Sequence, residues 1–266
     1  LDVDSIGIIT MTPDFANPAN TVVRISDRMV AAPFKSNVCA SRACIPGGAG
    51  YDAISDRFMH RISYRNFGNY EAIVASHTVD ANFPTLPAKA GVRWYELRRT
   101  TGNWSIFQQG TYAPDADSRW MGSININSKG QIGLAYNHSG VNKFASIYFT
   151  GRNINDPTGL MTYDESVIQQ GTAYGTFSNR WGDYNDLTTD VINDSIFWFT
   201  AMYGAQNWRT RIASFKLEPP LNLDARLSAV LNPVNGYAQC GNSLTPQITI
   251  RNSGATTLNN IRIFTQ

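Results

Sequence analysis

Two short motifs, each written twice at one spacing, constrain this chain more than any other feature. Gln108-Gln109-Gly110-Thr111 returns as Gln169-Gln170-Gly171-Thr172, and Arg119-Trp120 returns as Arg180-Trp181, both at an offset of 61 residues. The glycine that follows slips by one, from Gly122 to Gly182, and SDRFM at 55–59 is a weaker echo of SRWMG at 118–122. Separate motifs sharing one period mark a structural unit repeated along the chain. Between the echoes, apolar residues alternate with period two, the signature of strands, and helical periodicity is nearly absent. The runs fall at 57–66, 71–79, 92–100 and 104–112, then at 119–127, 131–139, 144–152 and 166–174, then at 180–190, 195–204 and 208–217. Four short strands in a unit of about 60 residues describe a propeller blade with generous loops. Strands such as SIFWFTAMY at 195–203 carry bulky residues on both faces. A lone sheet cannot bury both faces, whereas radial stacking of sheets does so and leaves only short edges. The fold class expected is therefore all-β: a β-propeller of four-stranded blades, partial or completed by upstream chain. A β-sandwich or a stack of small β-domains is the alternative.

The repeat also divides the chain. Residues 51–218 hold nearly three units, fewer than the four to eight blades of a closed propeller. Residues 1–50 supply lead-in strands, including TVVRISDRMVAAPF at 21–34, that read as part of an earlier blade, and a cysteine-bracketed loop. Pro219-Pro220 breaks the pattern, and 219–266 reads as the first strands of an immunoglobulin-like sandwich, cut short. The opening LDVDSIGIIT has neither the basic segment nor the long apolar run of a signal peptide, and the last residues stop within an alternating run. The chain thus reads as an internal piece of a longer polypeptide, whose other domains are its first expected partners.

Composition excludes several classes. A 42% hydrophobic content over 266 residues is ample for a core. Lys+Arg numbers 22 against 20 Asp+Glu, a net charge of +2, so no nucleic-acid partner is expected. No stretch reaches the 18 or so apolar residues of a transmembrane helix. Cys39 and Cys44 bracket the tight loop CASRAC. A local disulfide, two free thiols and a metal site all remain open there, although no second Cys or His pair completes a metal set. Cys240 lies far along the chain and would look for a partner beyond Gln266.

Several segments carry a resemblance. DRFMHRISYRNFGNYEAIVASHTVDA (56–81), GVRWYELRRTTGNWSIFQQGTYAPDADSRWMGSININSKGQIGLAYN (91–137), SNRWGDYNDLTTD (178–190), FWFTAMY (197–203) and NWRTRIASFKL (207–217) resemble a propeller-like region of large secreted or cell-surface proteins of Bacteroidota and gliding bacteria. The segment after 222 resembles the start of a CARDB-like module. The resemblance covers about residues 39–218. It implies an adhesin-like protein, secreted or outer-membrane-associated at the cell surface, exported by type IX secretion machinery, and often followed by β-sandwich modules. It carries no catalytic residues.

The functional candidates follow from the repeat. Arg57, Arg119 and Arg180 come from successive units and would converge on a central channel suited to an anionic ligand. The plainer reading of the Arg-Trp pairs packs each Trp between blades while its Arg spans a loop. Trp104, Tyr112 and Tyr174 are candidate sugar-stacking platforms on surface loops. Asp115 and Asp117 in PDADS, with Asp183 and Asp186 in RWGDYND, are candidate calcium ligands, calcium being the one cofactor the residues suggest. The spacing is not that of an EF-hand, and ordinary Asx-turns are the alternative. His60, His77 and His138 have no zinc-protease context, and neither a nucleophile elbow nor a phosphate loop is present. The expected function is a non-catalytic extracellular module presenting loops to glycan or protein, or a rigid spacer. The alternative is part of a propeller enzyme acting on polysaccharide or peptide.

Overall fold

The computed structural model describes residues 3–39, 43–47, 50–174, 179–207, 209–218, 225–232, 245–252 and 256–263. The chain forms two units, 1–217 and 218–266. It is all-β, with several antiparallel sheets, none of them closed. The strands of the first unit are β1 (Ser5–Thr12), β2 (Val22–Val30), β3 (Ser63–Asn66), β4 (Glu71–Asp80), β5 (Ala90–Arg99), β6 (Ser105–Tyr112), β7 (Ser118–Ile126), β8 (Ile132–Gly140), β9 (Lys143–Arg152), β10 (Ser166–Gln169), β11 (Asp186–Thr189), β12 (Ile196–Tyr203) and β13 (Arg209–Lys216). β1 and β2 form a hairpin. β3 to β6 form sheet I, β7 to β10 sheet II and β11 to β13 sheet III, each a meander in chain order. Short connections make antiparallel neighbours of consecutive strands, so the order of the alternating runs becomes the order of the sheet.

The expected strands at 57–66 and 180–190 are shorter than their alternation suggests, beginning only at Ser63 and Asp186. The lead-ins turn instead of extending. Gly182 sits at φ 75°, and the Asn185 N–H donates to the Gly182 carbonyl at 3.1 Å. The run expected to 174 leaves its sheet after Gln169, because the Thr172 N–H bonds the Gly204 carbonyl at 2.7 Å. Sheet III has three strands among the described residues, as the three runs of the last set suggest.

The sheets pack face to face. Ala72, Val74, Val92 and Trp94 of sheet I meet Ile124, Ile126, Ile132, Leu134 and Tyr136 of sheet II. The opposite face of sheet II, through Ala135 and Ile147, meets Leu187, Phe197, Phe199 and Phe215 of sheet III. Covered on both faces, β7 and β8 are buried along their whole length. On the far side of sheet I, Ile6, Met29 and Ala31 of the hairpin region cover Tyr95, Leu97 and Trp104. Each buried large side chain contributes about 1.5–3 kcal/mol, so these three interfaces dominate the stability of the unit.

Hydrogen bonds run across the stack at the repeat spacing. Ser63 Oγ donates to Asn125 Oδ1 at 2.9 Å, and Asn125 Nδ2 donates to the Leu187 carbonyl at 3.0 Å. The Leu187 N–H in turn donates to Ser123 Oγ at 2.9 Å. The first strands of the three sheets, β3, β7 and β11, are thereby tied together.

The repeated tryptophans meet at a hub. Trp120 and Trp181 are both buried, and both pack on Tyr51, with ring centroids 5.7 Å and 5.0 Å away. Val38, Ile45, Met59 and Met121 complete the cluster. The residue after each tryptophan is left-handed, Met121 at φ 51° and Gly182 at φ 75°. The structural counterpart of Gly182 is therefore Met121, not Gly122. Met121 and Gly122 together form a bulge between the Trp120–Asn137 and Ser123–Ala135 pairs.

In the second unit, β14 (Ala225–Asn232) and β15 (Gln247–Asn252) pair antiparallel. The alternating residues 261–263 are not in a strand. Cys240, whose partner the sequence leaves open, lies outside the described residues. Among the described residues, no helix is long and apolar enough to cross a membrane.

Candidate functional site

Identical Arg-Trp dipeptides end in different chemistry. Arg119, in β7, is fully buried. Its Nε and Nη2 donate to the two oxygens of Glu165 at 2.6 and 2.9 Å, and its Nη1 and Nη2 reach Asp115 at 2.7 and 3.1 Å. Tyr136 Oη also donates to Glu165, at 2.6 Å. Burial works against the Arg119 charge, but hydrogen bonds to Glu165 and Asp115 outweigh it and raise its pKa. Burial likewise works to raise the Asp115 carboxyl, and Arg119 overrides it, holding Asp115 down at about 2. Burial pushes the Tyr136 hydroxyl well up, and the Glu165 charge adds to the effect. Arg119 is thus itself buried, held by the largely buried Glu165 and by the exposed Asp115, and does not line an open channel. Such an arrangement fixes geometry more than it adds stability.

The calcium candidates separate. Asp115 and Asp117 come together with His138, one ligand atom from each lying within 4.8 Å of the others. Calcium takes six to eight oxygen ligands. Here Asp115 accepts from Arg119 with both oxygens, while Asp117 Oδ2 meets Lys143 and, at 3.2 Å, His138 Nε2. Burial lowers the His138 pKa, against the opposing pull of the Glu165 charge. Protein donors already fill the places a cation would take, so these residues do not fit calcium. Asp183 pairs with Arg180, and Asp186 pairs with Arg61 at 3.1 Å and meets His60 at 3.3 Å.

The aromatic candidates are also engaged. Trp104 is buried under the hairpin, with the Arg99 guanidinium 4.7 Å from its ring centre. Tyr112 packs 5.8 Å from Tyr136, and burial pushes its hydroxyl up to about 12. Tyr174 lies edge-on to Phe144 at 4.7 Å and donates to the Val141 carbonyl at 3.4 Å.

Arg57 and Arg180, by contrast, share one cleft of about 300 Å³. Its walls come from the loop at 36–39, the loop at 52–57 and the lead-in to β11, beside the Tyr51 hub. The Asp52 N–H donates to the Asn179 carbonyl at 2.7 Å, which ties the second loop to that lead-in. Asp52 Oδ1 accepts from the Ile54 N–H at 3.0 Å and draws Ile54 to φ 40°, a costly conformation for a β-branched residue. Arg57 grips Asp56 with two hydrogen bonds, 3.2 and 2.8 Å long. A disulfide joins Cys39 to Cys44 with Cα atoms 5.6 Å apart, settling the alternatives the spacing left open. It staples the cleft wall to the Ile45–Tyr51 bridge.

Sequence reading missed Tyr51 and Asp52 as site residues. Tyr51 and Asp52 lie in a loop without periodicity. No family model, curated protein or solved structure matches the chain.

Proposed function

We propose that the chain is the propeller part of a secreted or outer-membrane-associated adhesin-like protein of the Bacteroidota kind, exported by type IX secretion. Its work is binding, not catalysis. In this reading sheets I, II and III are consecutive blades, the hairpin is the outer half of an earlier one, and 219–266 opens an immunoglobulin-like module. The observation that carries it is the stacking of meanders face to face, with repeat-related Trp120 and Trp181 converging on Tyr51 beside an open polar cleft. The apolar faces at the two ends of the stack support it. Ile9 and Met11 of β1 sit directly opposite Ile25 and Val23 of β2, and all four are exposed. Trp198 and Ile212 of sheet III are exposed as well. Exposed apolar surface of this kind marks an interaction face, here one for further sheets of the same polypeptide.

A rigid scaffold with loops gathered at one end suits binding of glycan or surface protein. A glycan array combined with a turnover assay tests the reading. Binding without turnover is expected. A second reading, an enzyme acting on polysaccharide, has one observation in its favour: Asp52 and Asp56 line the same cleft, and glycosidases work with carboxylate pairs. Hydrolysis abolished by Asp52→Asn would establish it and overturn the first.

A further inference from the structure

We propose that β13, the strand that ends sheet III, is a docking edge for an extended acidic segment of a partner protein, added to the sheet as a fourth antiparallel strand. The proposal rests on the binding-module reading above and names the kind of partner for it.

Sheets I and II show what sets this edge apart. There the third strands are interior: β5 pairs with β4 and β6, and β9 pairs with β8 and β10. β13 holds the same place in sheet III, yet among the described residues it pairs with β12 alone. The strands that end the other two sheets are blunted. β6 meets β5 across a bulge at Glu96/Leu97, and the Gly159 N–H donates to its Gln108 side chain at 3.0 Å. β10 is four residues long and bulged as well. β13 runs for eight residues in unbroken register, from Arg209 opposite Tyr203 to Lys216 opposite Ile196. It contains no proline, and Arg209, Thr210, Arg211, Ile212, Ser214 and Lys216 are exposed. A long, flat, uncovered edge offers its backbone N–H and C=O groups to a further strand.

Charge selects the strand that is added. RTRIASFK carries three cations and no acid. Among the described residues, Arg209, Arg211 and Lys216 make no ion pair and no side-chain hydrogen bond. A second copy of β13 is a poor occupant, because antiparallel self-pairing would crowd the cations of both copies along one ladder. β14, the next strand in sequence, carries Arg226 and no acid, and it pairs with β15. An acidic strand meets neither obstacle. Side chains alternate across a strand, so Arg209 and Arg211 stand on one face of β13, while Ile212, 68% exposed, and Lys216 stand on the other. The complementary strand carries acids opposite the three cations and an apolar residue opposite Ile212. Backbone hydrogen bonds supply its affinity, and those side-chain positions supply the choice of partner.

The test uses a synthetic eight-residue peptide of Thr and Val with Glu at its first, sixth and eighth positions, which antiparallel pairing sets opposite Lys216, Arg211 and Arg209. It is titrated against the whole chain by fluorescence anisotropy at about 0.05 and 0.5 M salt, with hydrogen exchange read at the amides of 209–216. The peptide is expected to bind, more weakly at the higher salt, and to slow exchange along β13. Arg211→Glu should weaken binding about tenfold, the worth of one hydrogen bond to a charged group, and leave the melting temperature unchanged. A peptide with Lys at the sixth position should restore binding to that variant. Equal binding of a peptide with Pro for every Thr, which keeps the charge but cannot form the ladder, overturns the inference. Equal binding of a peptide without Glu, or no binding at all, overturns it too. Amides of β13 that exchange slowly before any peptide is added show an edge covered by its own chain, and they overturn it as well. None of these failures touches the glycan array, so the binding-module reading stands or falls separately.

Discussion

At the scale of single residues, the repeat keeps backbone geometry and lets side-chain chemistry drift. Met121 and Gly182 share the left-handed turn that follows each tryptophan, yet only one of them is glycine. A Cβ on Gly182 would also stand 2.3 Å from Asn137 Oδ1, whose partner is Asn185 Nδ2 at 2.8 Å. Gly182→Ala should therefore cost about 3 kcal/mol, combining left-handed strain with a disturbed buried amide pair. Gly68 is an internal control: its φ is 85° but nothing lies within 4 Å of an added Cβ, so Gly68→Ala should cost only about 1 kcal/mol. Urea denaturation of the two variants checks the difference, and equal losses would refute the crowding argument. His77 supplies a pH signature. It is buried between Phe34 and Phe58, with Nε2 3.1 Å from Tyr95 Oη, and burial lowers its pKa from 6.5 to about 4, helped by Arg93. The folded value lies below the unfolded one, so the contribution is complete above pH 6.5, drains as the pH falls, and is gone below about 4. About 3 kcal/mol is at stake. Denaturation midpoints of wild type should fall across that window more steeply than those of His77→Gln, and parallel curves would refute the assignment.

At the scale of elements, most strands were legible because alternation is a local signal that each stretch carries for itself. The lead-in at 180–185 was not, because the left-handed Gly182 leaves no periodic trace. The site was less legible still. Arg119 and Arg180 carry the same dipeptide, and what separates them is Glu165, 46 residues from Arg119 in sequence. Two predictions belong here. Because Arg119, Lys143 and His138 already neutralise or occupy Asp115 and Asp117, chelator should leave the melting temperature unchanged. A drop of several degrees would restore calcium. The Cys39–Cys44 disulfide closes a short loop, so its reduction should cost about 2 kcal/mol by loop entropy. It should also weaken any ligand held in the cleft whose wall includes Cys39. Calorimetry with and without reductant measures the first effect, and an unchanged transition would contradict it.

At the scale of the whole molecule, the stack of meanders explains why so many strands lack a polar face. Sheet II is covered on both sides, so its polar residues are buried and must be satisfied, as Asn125 and Asn137 are, by hydrogen bonds to neighbouring sheets. The period of the sequence was readable because every unit meets the next in the same way. The place where the units meet was not, since Tyr51 sits at an isolated bridge in an irregular loop that carries no alternation. The most direct measurement is an experimental structure of the polypeptide that carries these residues. The expected result is a ring in which sheets I, II and III are adjacent sectors around the Tyr51 hub, with further sheets over Ile9, Met11, Val23 and Ile25 and over Trp198 and Ile212. Sheets that diverge from a common axis, with Trp120 and Trp181 in unrelated surroundings, would contradict it.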